Sequence, residues 1–463
     1  MTDTVKKRRV LLVTNALPPA MPADSQRARM LAATLPETGW DVEVLVPSLD
    51  FQIPIYLDGK AAALRPERIQ VHEAAPGNNW LLRAAGARSM SWRALWPLYR
   101  RGCDVLRDQK FDLIYITTAQ FNFFCLGRLW KRKLGVPYIL DFHDPWFRET
   151  NDHETSPRNW KYHVGTRLVK HTENFALKHA SGLVAVSPVY LEQLRCRYPG
   201  FRCVQPERTA AIPFGVSEQD FAVAQLGVQR SEGSEEYRKQ KVESRDLTTE
   251  QRPTLDIVYV GAGRSIMAKS FRRICQGLAR IKQREPELAD KIRIRLSGTY
   301  AYWQPGDPKE LQTLAGSEGV GELVYEQPAR IGYVDSVGVA LKADGLLVLG
   351  VDDPAYMPSK LFLYALTGKP LLACMHARSQ VNDYFQRFPE LGALIHFDGP
   401  AENEATEDAL LLDFLRQVAD RKTFARENVR AEFSAAAMAR KHAELFDKIL
   451  QTQSRNLENR KQK

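Results

Sequence analysis

The chain has 463 residues, of which 44% are hydrophobic and 26% charged. That balance excludes a disordered polymer, and the length leaves room for two domains with separate cores. No apolar run approaches the ~20 residues of a membrane-spanning helix. The charged opening Met1 to Arg9 has no secretory hydrophobic segment, so a cytoplasmic location is expected.

The six cysteines, at positions 103, 125, 196, 203, 275 and 374, include no C-x-x-C pair. Reduced thiols are therefore expected, and neither a disulfide framework nor a zinc site. The net charge of +10 is uneven: residues 1 to 224 hold 30 basic and 22 acidic residues, and residues 83 to 133 alone hold 11 and 3.

In chain order, the apolar runs Val10 to Thr14, Val42 to Val46, Leu113 to Thr117, Tyr138 to Phe142 and Leu183 to Val186 read as strands separated by helical patterns. This alternation predicts a parallel doubly wound sheet. After the first strand, Asn15-Ala16-Leu17-Pro18-Pro19 leads to a helix that Asp24 or Ser25 can cap, with Arg27 on its first turn.

The basic excess includes Trp80 and Arg83, then a helical pattern in which Trp92, Leu95, Trp96, Tyr99, Cys103 and Leu106 share one face. Arg93, Arg100 and Arg101 lie largely off that face. This arrangement suits an anionic bilayer surface; the alternative is an ordinary helix packing its aromatic face on the sheet. Nucleic acid is not expected, because no recognised nucleic-acid module accompanies the charge.

The strand Tyr138 to Phe142 runs into His143-Asp144-Pro145-Trp146. Open α/β sheets bind ligands at such carboxyl ends, so His143 could hydrogen-bond a ligand hydroxyl, and Asp144 could orient it or act as a base. The alternative is that His143 and Asp141 only tie down the loop. Strand Leu183 to Val186 and then Ile212 to Val216 lead to a polar, charge-rich stretch, 225 to 253, expected to be a linker or insertion.

A second series of strands follows: Leu255 to Val260, Ile292 to Leu296, Leu323 to Tyr325, Leu346 to Leu349 and Leu371 to Cys374. Gly261, Gly263, Arg264 and Lys269 come directly after the first of these. Glycines there would let backbone N–H groups approach a diphosphate, and the two cations would neutralise it. Ile266 stands where a dinucleotide fingerprint needs glycine, which disfavours a dehydrogenase.

Further on, Pro358, Ser359 and Lys360 are suited to a helix start, Gly368 to its end and Pro370 to preventing continuation. The first free N–H groups of such a helix, with Lys360, could hold a phosphate. Two helical patterns, about 404 to 418 and 423 to 450, close the chain before a polar tail.

The passage Pro358 to Pro370, with Gly261 to Lys269 and the strand-end His143, resembles family 4-like glycosyltransferases of the GT-B fold. The resemblance implies an α/β chain with two Rossmann-like doubly wound domains facing a central cleft. The divisions expected are an acceptor-side domain at 1–224, a linker at 225–253, a nucleotide-sugar domain at 254–425, a helix at 426–450 crossing back to the first domain, and a tail at 451–463. It further implies sugar transfer from a nucleotide-diphosphate sugar to a hydroxyl acceptor, in cell-envelope, exopolysaccharide or glycolipid synthesis, with neither cofactor nor metal.

In that scheme Arg264, Lys269, Ser359 and Lys360 grip the donor diphosphate, while His143 and Asp144 face the sugar. Arg27, Asp352 and Asp353 are further candidates for donor contact. A lipid-linked acceptor at the membrane is the expected partner. Retaining members often carry two glutamates where this chain has Ala355 and Leu363, and Leu363 cannot accept a hydrogen bond from ribose. An epimerase acting on nucleotide sugars and a non-catalytic sugar-nucleotide binder are the rival expectations.

Overall fold

The computed structural model describes residues 7–76, 89–147, 160–232, 254–400 and 403–461. The chain divides into two units. The first comprises Met1–Leu57, Arg65–Gly215 and Ala435–Lys463; the second comprises Asp58–Leu64 and Val216–Ser434.

In the first unit seven strands form one parallel sheet: β1 (Arg8–Val13), β2 (Trp40–Pro47), β3 (Gln70–Ala74), β4 (Leu113–Thr117), β5 (Tyr138–Phe142), β6 (Gly182–Ala185) and β7 (Thr209–Ala211). Their spatial order is β3-β2-β1-β4-β5-β6-β7. Helices such as Ser25–Thr34, Met90–Asp108 and Phe124–Leu134 connect them, and every residue of β4, β5 and β6 is buried. Burial on both faces explains why those strands read as unbroken apolar runs. The edge strands β3 and β7 are only partly buried, carry no such run and are absent from the sequence reading.

The last helix, Ala435–Lys461, belongs to this first unit. Its Met438, Ala439, Phe446 and Ile449 join the core formed by Val10, Leu12, Val44 and Tyr115. Phe446 meets Trp40 edge to face at 5.4 Å. Full burial of side chains of this size contributes roughly 1.5–3 kcal/mol each. The single helix expected over 423 to 450 is two, Glu427–Phe433 and Ala435–Lys461. They are broken where Ser434 turns extended and Phe433 gives its carbonyl to the N–H of Val216 at 2.8 Å.

In the second unit six parallel strands follow the order β10-β9-β8-β11-β12-β13. They are β8 (Leu255–Val260), β9 (Ile292–Tyr300), β10 (Val324–Ala329), β11 (Gly345–Leu349), β12 (Leu371–Met375) and β13 (Ala393–His396). The half-buried edge strand β13 is again the one the sequence reading lacks. The helix Glu218–Glu232 opens this unit, so the start of the expected linker is helical; its remainder, 233–253, lies outside the described residues. Strand order reverses at β1/β4 in the first sheet and at β8/β11 in the second. The carboxyl ends of neighbouring strands at such a reversal diverge and leave a crevice for a ligand.

Candidate functional site

In the second unit the reversal lies between the loops that follow β8 and β11. Gly261 has φ +148°, which favours glycine, and a Cβ there would lie 4.0 Å from Lys360 Nζ. Gly263 has no room for a side chain: a Cβ would come within 2.8 Å of Thr299 Cβ. The N–H groups of these glycines are not available to a diphosphate, contrary to the expectation. Gly261 donates to Ser297 O at 3.0 Å and Gly263 to Thr299 O at 2.9 Å, which prolongs pairing with β9 beyond the strand. The glycines thus provide space, while the side chains around them provide charge.

Lys360 reaches across from the β11 side and donates from Nζ to Val260 O at 2.8 Å. Burial, helped by the charge of Arg330, pushes its ammonium down to about 8. Tyr364 braces the same residue: its hydroxyl accepts from Val260 N at 3.1 Å and lies 3.3 Å from Val260 O. The helix expected to begin at Pro358 and Ser359 begins at Leu361 and ends at Ala365. Five residues align few peptide dipoles, so Lys360 itself, not a helix start at exposed Ser359, is the positive feature here. Gly368 closes the turn with φ +77°, as expected.

The other two cations stand on the loop and helix after β8, at the same carboxyl edge, and each already has a partner. Arg264, with φ +60°, pairs with Glu310 through Nε at 2.7 Å and Nη2 at 2.6 Å and lies over the Tyr300 ring at 4.1 Å. Lys269 is paired with Asp352. Asp353 accepts the N–H of Ala355 at 2.9 Å. Exposed ion pairs of this kind are worth about 1 kcal/mol or less, so an incoming anion can replace the carboxylate. Ala355 and Leu363, at the positions of the expected glutamates, are both buried.

Arg330 is a cation the sequence reading passed over. It follows β10, which runs on to Ala329 instead of stopping at Tyr325, and the longer strand marks Arg330 as a strand-end residue.

In the first unit the reversal is bridged by Asp24. Its side chain does not cap the helix behind it. Its Oδ1 instead accepts from Asn15 Nδ2 at 3.2 Å, and its Oδ2 accepts from Ala119 N at 2.7 Å and Thr118 Oγ1 at 3.2 Å. Ser25 does not cap either; its hydroxyl donates to Pro22 O at 2.8 Å. These bonds join the loop after β1 to the loop after β4.

Beside them, Thr117 and Asp141 are register partners on β4 and β5, which puts both side chains on one face. Thr117 Oγ1 donates to Asp141 Oδ2 at 2.7 Å. His143 Nε2 lies 2.9 Å from Asp141 Oδ2 and 2.9 Å from Thr117 Oγ1. These partners place the ring proton on Nε2 and the lone pair on Nδ1. Nδ1 is buried and has no hydrogen-bond partner among the described residues. Burial alone would raise the Asp141 carboxyl, but the Arg27 guanidinium and the His143 ring hold it well below the usual carboxylate range. Asp144 is exposed at the same strand end. Arg27 is fully buried, with Nε 3.4 Å from Asp141 Oδ2 and Nη2 donating to Ile212 O at 2.5 Å.

The helix Met90–Asp108 buries Ser91, Ala94, Leu98, Val105 and Leu106, whereas Trp92 and Trp96 are 41% and 54% exposed. The expected stripe therefore splits. Cys103 and Leu106 face the core, while Trp96 stacks on Tyr99 at 5.4 Å with Arg100 and Arg101 exposed nearby in sequence. Arg93 lies over Phe51 at 5.6 Å. Trp80 and Arg83 lie outside the described residues. Among the described residues no helix is long and apolar enough to cross a membrane.

Residues 25–215 match the family model described as a glycosyl transferase 4-like domain. Among solved structures, Anabaena HepE in complex with UDP-glucose is similar at 14% identity and TM-score 0.56, over 95% of this chain and 99% of that one. An α,α-trehalose 6-phosphate synthase from Burkholderia multivorans is similar at 13% identity and TM-score 0.56, over 97% and 98%. No curated protein matches the sequence significantly.

Proposed function

From a GT-B fold and the match of residues 25–215 to a glycosyl transferase 4-like domain, we propose that this chain moves a sugar from a nucleotide-diphosphate sugar to an acceptor hydroxyl. The observation that carries the reading is Lys360: its ammonium is held on Val260 O at the sheet's reversal, beside the space left by Gly261 and near Arg330. A half-buried cation in a ligand crevice is poised for an anion.

In the reaction the bond from the sugar's anomeric carbon to the diphosphate breaks and a bond to the acceptor oxygen forms. The leaving diphosphate gains charge, which Lys360, Arg264 and Lys269 stabilise, the last two after releasing Glu310 and Asp352. His143, oriented through Nε2 by Asp141 and Thr117, accepts a hydrogen bond from a sugar hydroxyl at Nδ1. Asp144, exposed beside it, is positioned at the same strand end to assist as a base. Protein cations meet the diphosphate charge in this reading, so turnover is expected to survive a chelator.

The acceptor is proposed to be lipid-linked and met at an anionic membrane surface, in envelope or glycolipid synthesis. Exposed Trp92 and Trp96 with Arg100 and Arg101 support peripheral contact of this kind.

A thermal-shift screen against nucleotide-diphosphate sugars tests the donor reading, starting with UDP-glucose because the HepE structure contains it. A true donor raises the melting temperature by mass action, and Lys360→Met should abolish the rise. If no member of a broad donor panel shifts the wild-type chain, the reading is wrong.

A further inference from the structure

The C-terminal helix carries His442, which is fully buried in the first unit and 299 positions from His143 in sequence. Its Nδ1 lies 2.7 Å from Met438 O, one turn earlier, an arrangement that fixes a proton on Nδ1. The other nitrogen is thereby an acceptor. Tyr115 Oη lies 2.9 Å from it and Arg27 Nη1 3.3 Å.

Arg27 is held at three further points: Ile212 O at 2.5 Å, the Phe214 ring at 5.2 Å, and Asp141 Oδ2 at 3.4 Å from Nε. Asp141 Oδ2 is the atom that also receives Thr117 and His143. A continuous chain of polar contacts therefore runs from residue 442 through 27 and 141 to 143. It draws on the last helix, the first helix and the carboxyl end of β5.

We infer that His442 is a positioning residue for His143, acting through Arg27 and Asp141; this deepens the transferase reading and rests on it for its consequence in turnover. A neutral acceptor at 442 takes one edge of the guanidinium, which leaves Nε 3.4 Å from Asp141 Oδ2 in an ion-pair contact without a hydrogen bond. Asp141 in turn keeps the His143 proton on Nε2 and the lone pair on Nδ1.

The groups facing His442 are Arg27 from the first helix, Tyr115 from β4, and Asp141 and His143 from β5 and its end. Burial and then the charge of Arg27 push the His442 ring down to about 3, so it stays a neutral acceptor across the physiological range. Burial likewise keeps the Tyr115 hydroxyl protonated as a donor. Space filling is the plainer role, since the ring also packs edge on against Tyr115 at 5.5 Å. A leucine would fill that space without accepting a hydrogen bond, which separates the two roles.

The test uses the full chain with ring-15N histidine, the His143 signals being assigned by their loss in His143→Gln. Wild type should show one His143 tautomer, protonated at Nε2. His442→Leu should bring the two ring-nitrogen signals toward their mean, and His442→Gln, whose amide oxygen can take the place of Nε2, should restore the wild-type pattern. His442→Asn keeps a donor for Met438 but falls short of Arg27, so it should behave like leucine if the leucine variant does not fold.

With any donor found to turn over, kcat should fall about fivefold in His442→Leu at unchanged KM, the factor expected for one lost hydrogen bond. Averaged tautomers in wild type, or unaltered His143 signals in folded leucine or asparagine variants, overturn the inference. The ring signals need no turnover, so a chain that transfers nothing yet shows this pattern refutes the transferase reading alone.

Discussion

Lys360 Nζ donates to the carbonyl oxygen of Val260 at 2.8 Å, tying the segment after β11 to the last residue of β8. A lysine committed in this way has exchanged part of its hydration for one carbonyl, and its proton is held less firmly than in water.

That relationship predicts a pH dependence of donor binding. Free Lys360 loses its proton near pH 8, whereas a lysine in an unfolded chain keeps it to about 10.4. The folded pKa is the lower one, so fold stability rises with pH through this window while the cation needed for a diphosphate disappears. The affinity of any nucleotide-diphosphate sugar that binds should be flat below pH 8 and fall toward tenfold per unit above it. Titration calorimetry in buffers of different ionisation enthalpy should detect proton uptake on binding near pH 8. A flat affinity across that pH would show that Lys360 is not the anion's partner.

His442 predicts an acid-sensitive term in stability. Its folded value of about 3 lies below the ~6.5 of an unfolded histidine. Its contribution is therefore fully present above pH ~6.5 and is lost as pH falls toward 3, at up to about 1.4 kcal/mol per unit. Urea unfolding of wild type should show this slope between pH 6.5 and 5, and His442→Gln should be flatter by about that amount. Equal slopes would contradict a buried neutral ring.

Gly263→Ala tests the packing of the loop after β8. The added carbon meets Thr299 Cβ at 2.8 Å and Leu311 Cδ1 at 3.0 Å, so the loop must shift. Overpacking of this kind costs about 1–3 kcal/mol. The variant should melt earlier and bind donor more weakly, and a companion Thr299→Ser, which removes the methyl in contact, should recover part of both losses. Wild-type melting in Gly263→Ala would mean the loop has slack.

The aromatic surface makes a separate prediction. Trp92→Ser with Trp96→Ser should leave the melting temperature nearly unchanged, because both rings are exposed, yet release the chain from anionic phosphatidylglycerol vesicles. Arg100→Glu should weaken vesicle binding several-fold, in line with about 1 kcal/mol per basic residue near such a surface. Cosedimentation that is absent in wild type, or indifferent to all three substitutions, removes the membrane proposal.

The sequence by itself determined the two parallel sheets, because strands buried on both faces must be written as continuous apolar runs. Leu113–Thr117, Tyr138–Phe142 and Leu255–Val260 occupy the stretches their hydrophobicity marks. It also placed His143, Gly261 and Arg264 at strand ends and Lys360 beside the start of a helix, where local order along the chain is enough.

Tertiary structure alone decided the partners. Edge strands β3, β7 and β13 are half-buried and carry no periodic signal, so only pairing with a neighbour defines them. Asp24 stands where a capping residue would stand, yet it serves the loops after β1 and β4, which become its neighbours only when the sheet forms. Arg27, read as a donor contact, is enclosed by Asp141, Ile212 and His442. Hydrogen bonds between residues so far apart in the chain depend on directions and distances that no linear pattern records, and folding alone sets them.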